Sequence, residues 1–100
     1  IKALSDCIAE RVRDSDVLGR FGGDEFIIIC PECTGYQASV IAEQIRKNIT
    51  KLNIYDLDIT ISLGITECQN QDTVKTLLGR ADRALYEAKE NGRNTIKLIE

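Results

Sequence analysis

The sequence predicts a mixed α/β fold in which helices pack on a sheet. Three observations predict it. Two short apolar runs, Val17-Leu18 and Phe26-Ile27-Ile28-Ile29, flank Gly22-Gly23, which is a hairpin signal. Leu57, Ile59, Ile61, Leu63 and Ile65 alternate with Asp58, Thr60, Ser62 and Gly64 at the two-residue period of a strand. Three other segments carry apolar residues at helical spacing. The resulting order is helix, strand, strand, helix, strand, helix, strand, a layered arrangement of helices on a sheet.

Residues 1–13 read as the end of a helix, because Ile1, Leu4, Ile8 and Val12 recur on one side with Ala9 beside them. The hairpin follows, and Pro31 ends its second strand. Thr34 is placed to cap a helix that runs to about Leu52, with Ile41, Ile45 and Ile49 on its buried face. Residues 57–65 then form a strand with one strongly apolar face. Asp72 is the expected cap of the last helix, whose stripe is Val74, Leu77, Leu78, Ala81, Leu85 and Ala88. Gly92 is placed to stop it with a left-handed residue. Ile96, Leu98 and Ile99 make a closing strand. There is no internal repeat, low-complexity segment or linker, so residues 1–100 read as one domain.

Composition narrows the function. The chain has 100 residues, 43% hydrophobic and 29% charged, which describes a globular domain of modest stability. The net charge of −3 argues against a nucleic-acid partner, which needs a broad basic face. It does not exclude a nucleotide, since a few placed cations and a metal hold phosphates on an acidic protein. No apolar run approaches the roughly 20 residues that span a bilayer, and there is no secretory signal pattern. The chain begins at Ile1 without a methionine and reads as a piece of something longer, so missing targeting signals say nothing about the parent. The cysteines are Cys7, Cys30, Cys33 and Cys68. Cys30 and Cys33 form a CxxC pair, readable as half a zinc site or a redox pair. With no histidine and no second CxxC, unpaired thiols in a reducing cytosol are the favoured reading.

Three segments carry candidate chemistry. In Phe21-Gly22-Gly23-Asp24-Glu25-Phe26, two glycines at a hairpin tip let backbone approach a ligand, and two carboxylates follow on opposite faces of the strand. One of them facing the tip would be a hard oxygen ligand for Mg²⁺. A plain hairpin with solvated acids fits the same spacing. In Arg13-Asp14-Ser15-Asp16, the arginine fork suits phosphate or a guanine edge and Asp16 suits guanine N–H groups. An exposed local ion pair fits equally. Lys89 and Arg93, four apart at a helix end, are spaced to clamp a polyphosphate, although the helix dipole alone favours cations there.

Taken together, FGGDEF, an RxxD five residues before the glycines, and ADxALYxAKxxGRN near the C-terminus resemble the GGDEF diguanylate cyclase family in order and spacing. The resemblance covers essentially all 100 residues. It implies a nucleotide-cyclase, ferredoxin-like palm: a mixed, mainly antiparallel sheet with packed helices and the hairpin at the active site. It implies that two GTP molecules are joined into cyclic di-GMP with loss of pyrophosphate, using Mg²⁺ or Mn²⁺. By this similarity Gly22 and Gly23 approach GTP. Asp24 is a metal ligand and the base for the 3′-hydroxyl, and Glu25 helps at the metal. Lys89 and Arg93 hold the outer phosphates. Arg13 and Asp16 match the site where cyclic di-GMP inhibits its own synthesis. Catalysis implies a homodimer, driven by an upstream sensor or receiver domain, in the cytoplasm or on the cytoplasmic side of a membrane-bound sensor.

The chain departs from the family pattern at its start. A full domain begins earlier, with a central strand and a helix that bring a further metal-binding aspartate, the residues that read guanine and another phosphate lysine. The 100 residues alone are therefore expected to be inactive, with unpaired sheet edges. The family's second inhibitor-binding arginine falls at Gln44, with Arg46 nearby. Beside the cyclase stand two further readings. One is a non-catalytic module that binds cyclic di-GMP or GTP, and the other is a structural dimerisation domain. The intact FGGDEF favours the enzyme.

Overall fold

A computed structural model describes residues 2–21, 25–54 and 57–100 of the chain. The elements are α1 (Lys2–Ala9), β1 (Val17–Phe21), β2 (Glu25–Ile29), α2 (Gly35–Thr50), β3 (Asn53–Ile54), β4 (Leu57–Asp58), β5 (Leu63–Ile65), α3 (Val74–Glu90) and β6 (Ile96–Leu98). The first helix stops at Ala9, short of the expected Arg13. The mixed α/β class holds, with two antiparallel ladders, β1–β2 and β3–β4, and one parallel ladder, β5–β6. No helix among the described residues is long and apolar enough to cross a membrane.

One core forms where α1, α2 and the hairpin meet. Cys7, Ile8, Ile45 and Ile49 are buried, with Leu4, Val12, Leu18, Phe26, Ile28 and Ile41 packed around them. Ile45 and Ile49 are fully enclosed, each burial stabilising by about 1.5–3 kcal/mol. The α2 helix starts where expected. Thr34 Oγ1 accepts from the Gln37 N–H at 3.1 Å, and Gln37 Oε1 accepts from the Thr34 N–H at 3.0 Å, a complete capping box. The next free N–H, that of Gly35, donates to Glu67 Oε1 at 2.6 Å, which ties α2 to the chain beyond β5.

Residues 57–65 do not form one strand. Pairing is confined to Leu57–Asp58 and Leu63–Ile65. Side-chain alternation fixes which face each residue presents, but a ladder also needs a neighbouring backbone to bond. Residues 59–62 still serve the core, since Ile59 and Ile61 pack against it. Between β2 and residues 59–65 lies a cavity of about 1280 Å³. Accordingly β2 pairs only with β1, and β5 only with β6, among the described residues.

The last helix differs from expectation in two ways. Thr73, not Asp72, is its cap: Thr73 Oγ1 accepts from the Thr76 N–H at 3.2 Å, and Thr76 Oγ1 accepts from the Thr73 N–H at 2.9 Å. Asp72 is engaged by Arg80 instead, whose Nη2 and Nη1 donate to its two oxygens at 2.6 and 3.0 Å. Arg80 also donates to Thr66 Oγ1 at 2.6 Å and to the Glu67 carbonyl at 2.8 Å. This one guanidinium therefore joins the start of α3 to the end of β5. The buried stripe is also shifted. Ala84 and Ala88 are fully enclosed, whereas Val74 is 75% exposed and Leu78 39%. The cause is Gly64. A Cβ there would collide with the Leu85 nitrogen and lie 2.6 Å from the Ala81 carbonyl oxygen. The strand presses directly on the helix backbone at Ala81 and Leu85, which sets the face of α3 that turns inward.

Two consequences are measurable. Gly64→Ala forces strand and helix apart and is expected to cost about 1–3 kcal/mol of stability. A urea midpoint unchanged from wild type would refute the close approach. The Arg80 guanidinium holds the Asp72 carboxyl well below the usual carboxylate range. A depressed folded value means the stabilisation is complete above the unfolded value of about 3.9 and fades below it. The melting-temperature gap between wild type and Asp72→Asn should therefore be wider at pH 6 than at pH 2.5. A gap constant across that range would show that the ion pair contributes nothing to stability.

Candidate functional site

The site is built on the hairpin and on the end of α3. Antiparallel pairing runs from Val17↔Ile29 to Phe21↔Glu25, so Glu25 opens β2 opposite the last residue of β1. Gly22, Gly23 and Asp24 lie outside the described residues. Glu25, Lys89 and Arg93 are among the residues that line the cavity, whose walls are largely apolar residues of β2, α2 and α3.

Local chemistry explains how α3 delivers its cations. Lys89 stands in the last turn. Beyond the cap residue Asn91, the Gly92 N–H donates to the Lys89 carbonyl at 3.4 Å and the Arg93 N–H to the Ala88 carbonyl at 3.2 Å. That pair of bonds is a Schellman motif, with Gly92 at φ 107° as its left-handed residue, as the sequence led one to expect. The turn then goes further than glycine requires. Arg93 at φ 61° and Asn94 at φ 47° are also left-handed, at a cost of order 1–3 kcal/mol each. Tertiary contacts hold them there. The Asn94 N–H donates to Ser62 Oγ at 3.1 Å, and Arg46 Nη1 donates to Asn94 Oδ1 at 2.9 Å. Arg46 is fixed in turn by two bonds to the Glu43 carboxylate, at 2.8 and 2.7 Å.

Sequence reasoning missed this clip. Arg46 was visible only as a residue near Gln44, yet its guanidinium is committed to Glu43 and Asn94. The available signal was the asparagine directly after Gly92-Arg93, a residue type suited to a left-handed position.

Arg13 and Asp16 form a separate cluster and are not among the residues that line the cavity. The Asp16 N–H donates to the Arg13 carbonyl at 2.9 Å, closing a turn after α1. In return the Arg13 N–H donates to Asp16 Oδ2 at 2.8 Å, and Nη2 and Nε donate to Oδ1 at 2.8 and 3.1 Å. Arg13 Nη2 also donates to the Pro31 carbonyl at 3.0 Å. The Asp16 side chain has no exposed surface, while Arg13 keeps 44% of its own. This is a locked fork and not a loose surface pair. The Arg13 bonds draw the Asp16 carboxyl below its ordinary range, and the same contact raises the Arg13 guanidinium.

No group of three carboxylates, thiols or imidazoles converges as a metal site among the described residues. Glu25 supplies one hard oxygen donor at the mouth of the hairpin, a donor type that suits Mg²⁺ or Mn²⁺. Its expected companion Asp24 is outside the described residues. The four thiols are free.

With this geometry established, comparison with known proteins gives the class. The family described as "Diguanylate cyclase, GGDEF domain" matches residues 1–95, and the chain belongs to it. Among curated proteins it is similar to Diguanylate cyclase A of Treponema denticola, 35% identical over 98% of this chain and 28% of the relative. Among solved structures it resembles the active GGEEF domain of a diguanylate cyclase from Vibrio cholerae, with a TM-score of 0.89 and 29% identity over 99% of this chain and 65% of that one. It also resembles the GGDEF domain of DgcB from Caulobacter crescentus in complex with c-di-GMP, with a TM-score of 0.88 and 26% identity over 98% of this chain and 61% of that one. The chain thus spans less than a third of the Treponema protein.

If the clip positions Arg93, then Arg46→Gln should release Asn94. Hydrogen exchange of the Asn94 amide is expected to speed up at least several-fold, with little change at Ile45 and Ile49 in the core. Unchanged exchange at Asn94 would show that Ser62 alone holds the turn.

Proposed function

We propose that the chain is the GGDEF part of a diguanylate cyclase that condenses two GTP molecules into cyclic di-GMP and pyrophosphate. The observation that carries this reading is the family match over residues 1–95, which takes in the FGGDEF segment with Glu25 and the end of α3 with Lys89 and Arg93. Glu25, Lys89 and Arg93 are also among the residues that line one cavity. In this reading Lys89 and Arg93 take the outer phosphates of GTP, where two cations offset the charge that builds up as pyrophosphate leaves. The Arg46–Asn94 clip holds Arg93 in place beforehand, so less ordering remains when the nucleotide binds. Gly22 and Gly23 let the backbone approach the nucleotide, and Asp24 takes the proton of the 3′-hydroxyl that attacks the α-phosphorus of the second GTP. Asp24 and Glu25 would hold Mg²⁺ or Mn²⁺, which when bound lowers the cost of forming the alkoxide and of releasing pyrophosphate. Because each domain presents one nucleotide, the reaction needs two copies face to face. An attached sensor or receiver domain that brings them together would act as the switch.

Arg13 and Asp16 are assigned to binding the product. Asp16 faces the protein and fixes the guanidinium, and the exposed part of Arg13 is the part a phosphate or guanine would meet. A module that binds cyclic di-GMP without turnover shares this feature but makes no use of Glu25, Lys89 and Arg93 in one cavity.

The test uses the full-length protein with GTP and Mg²⁺, with product followed by chromatography. Cyclic di-GMP is expected from wild type, with Asp24→Ala lowering the rate at least 100-fold. Equal rates in the two would remove Asp24 from the chemistry, and no product from a folded, dimeric sample would leave the binding module as the better reading.

A further inference from the structure

The CxxC pair has no part in the chemistry proposed above, yet its placement is specific. Cys30 directly follows β2, Cys33 directly precedes the Thr34 cap of α2, and Pro31-Glu32 make the turn between them. Proline is favoured at the first central position of such a turn because its ring presets φ. Glu32 takes φ 51°, a left-handed value at a non-glycine residue. The ends of a four-residue turn lie within about 7 Å at Cα, which overlaps the span of a disulfide. Both thiols are free and half-buried, and the Cys33 thiol donates to the Thr34 carbonyl at 3.5 Å. The Asp16 carboxylate lies near enough to the Cys30 thiol to push it up. From the other side Arg13 Nη2 bonds the Pro31 carbonyl, within the turn itself. The two thiols therefore underlie the Arg13–Asp16 fork.

We propose that Cys30 and Cys33 are a reversible disulfide site, and that closing the disulfide loosens the Arg13–Asp16 fork and weakens cyclic di-GMP binding. The coupling rests on the reading of Arg13 and Asp16 as the product site, while the disulfide itself does not. The oxidant is a low-molecular-weight disulfide. The Cys33 thiolate attacks one of its sulfurs, forms a mixed disulfide and expels one small thiolate. The Cys30 thiolate then attacks the Cys33 sulfur, forms the protein disulfide and expels the second small thiolate. The two protons given up by the cysteines end on the two small thiols. Two protein thiols are oxidised and one small disulfide is reduced. Burial and the neighbouring Asp16 carboxylate push the Cys30 thiol up, which leaves less of it as the attacking thiolate. Closing the bridge tightens the turn that carries the Pro31 carbonyl, and so moves the acceptor that Arg13 Nη2 bonds at 3.0 Å.

The experiment uses the full-length protein carrying Cys68→Ser, which removes the exposed thiol that would compete. It is treated with oxidised glutathione, and the tryptic peptide 21–46 is weighed after free thiols are blocked. Cyclic di-GMP binding is titrated before and after, and again after dithiothreitol. The peptide is expected to lose two hydrogens and carry no glutathione. Affinity should fall about 2- to 10-fold, the worth of one hydrogen bond, and return on reduction. Cys30→Ser cannot close the bridge, so its affinity should not change with oxidant. Two blocked thiols, or a lasting glutathione adduct, overturn the disulfide. A closed disulfide with unchanged affinity, where Arg13→Ala binds poorly, overturns the coupling alone. Equal binding by reduced wild type and Arg13→Ala overturns the product-site reading and the coupling with it, while the peptide mass still decides the disulfide.

Discussion

The contact between Gly64 and the backbone of α3 fixes the geometry on which the candidate site depends. It leaves no room for a side chain between strand and helix. The backbone it meets is that of Ala81 and Leu85. With α3 seated at that distance, its last turn comes to the edge of the cavity and Lys89 and Arg93 are carried to its wall. The Arg80 bonds to Asp72, Thr66 and Glu67 fix the other end of the same helix against the same strand. Held at Arg80 and again at Ala81 and Leu85, the helix cannot slide, so the position of Lys89 is decided about 6–14 Å earlier along its axis, at 1.5 Å per residue.

The candidate site spends backbone energy to gain orientation. Two non-glycine residues in left-handed conformation after a complete helix cap are more than chain reversal needs. They persist because Ser62 and Arg46 bind Asn94 from two different elements. The Arg13–Asp16 fork follows another logic. There the carboxylate is enclosed and the guanidinium half-exposed, so the pair offers an oriented cation on a rigid base. One device positions a cation through strain and the other through an ion pair, and each is secured by residues distant in sequence, Arg46 for the first and Pro31 for the second.

Much of this architecture was legible in the residues. The hairpin, the Thr34 cap, the Gly92 stop and the apolar faces of α1 and α2 follow from local rules of period and capping, which depend on near neighbours. The misread features depend on contacts with distant parts of the chain. Asp72 looks like a cap until Arg80 occupies it. The even-numbered residues of 57–65 look like a solvent face until Gly64 is found against α3. The alternating segment looks like one strand, but pairing is a property of two chains and no single segment reveals it. Within the candidate site, residue types and spacing singled out Lys89 and Arg93 as candidates. The clip that orients them could not be read, because Arg46 and Asn94 meet only in the fold.

The parallel pairing of β5 with β6 also sets an order of events during synthesis. Leu63 pairs with Ile96 and Ile65 with Leu98, so the ladder joins segments on either side of α3. When β5 leaves the ribosome its partner is roughly thirty residues away, a wait of seconds at about 5–20 residues per second. The α1–α2–hairpin core needs nothing beyond Ile61 and is complete first. The cations of α3 are thus the last part of the candidate site to reach their positions, and a nascent chain carries its hairpin well before it carries the residues that face it across the cavity.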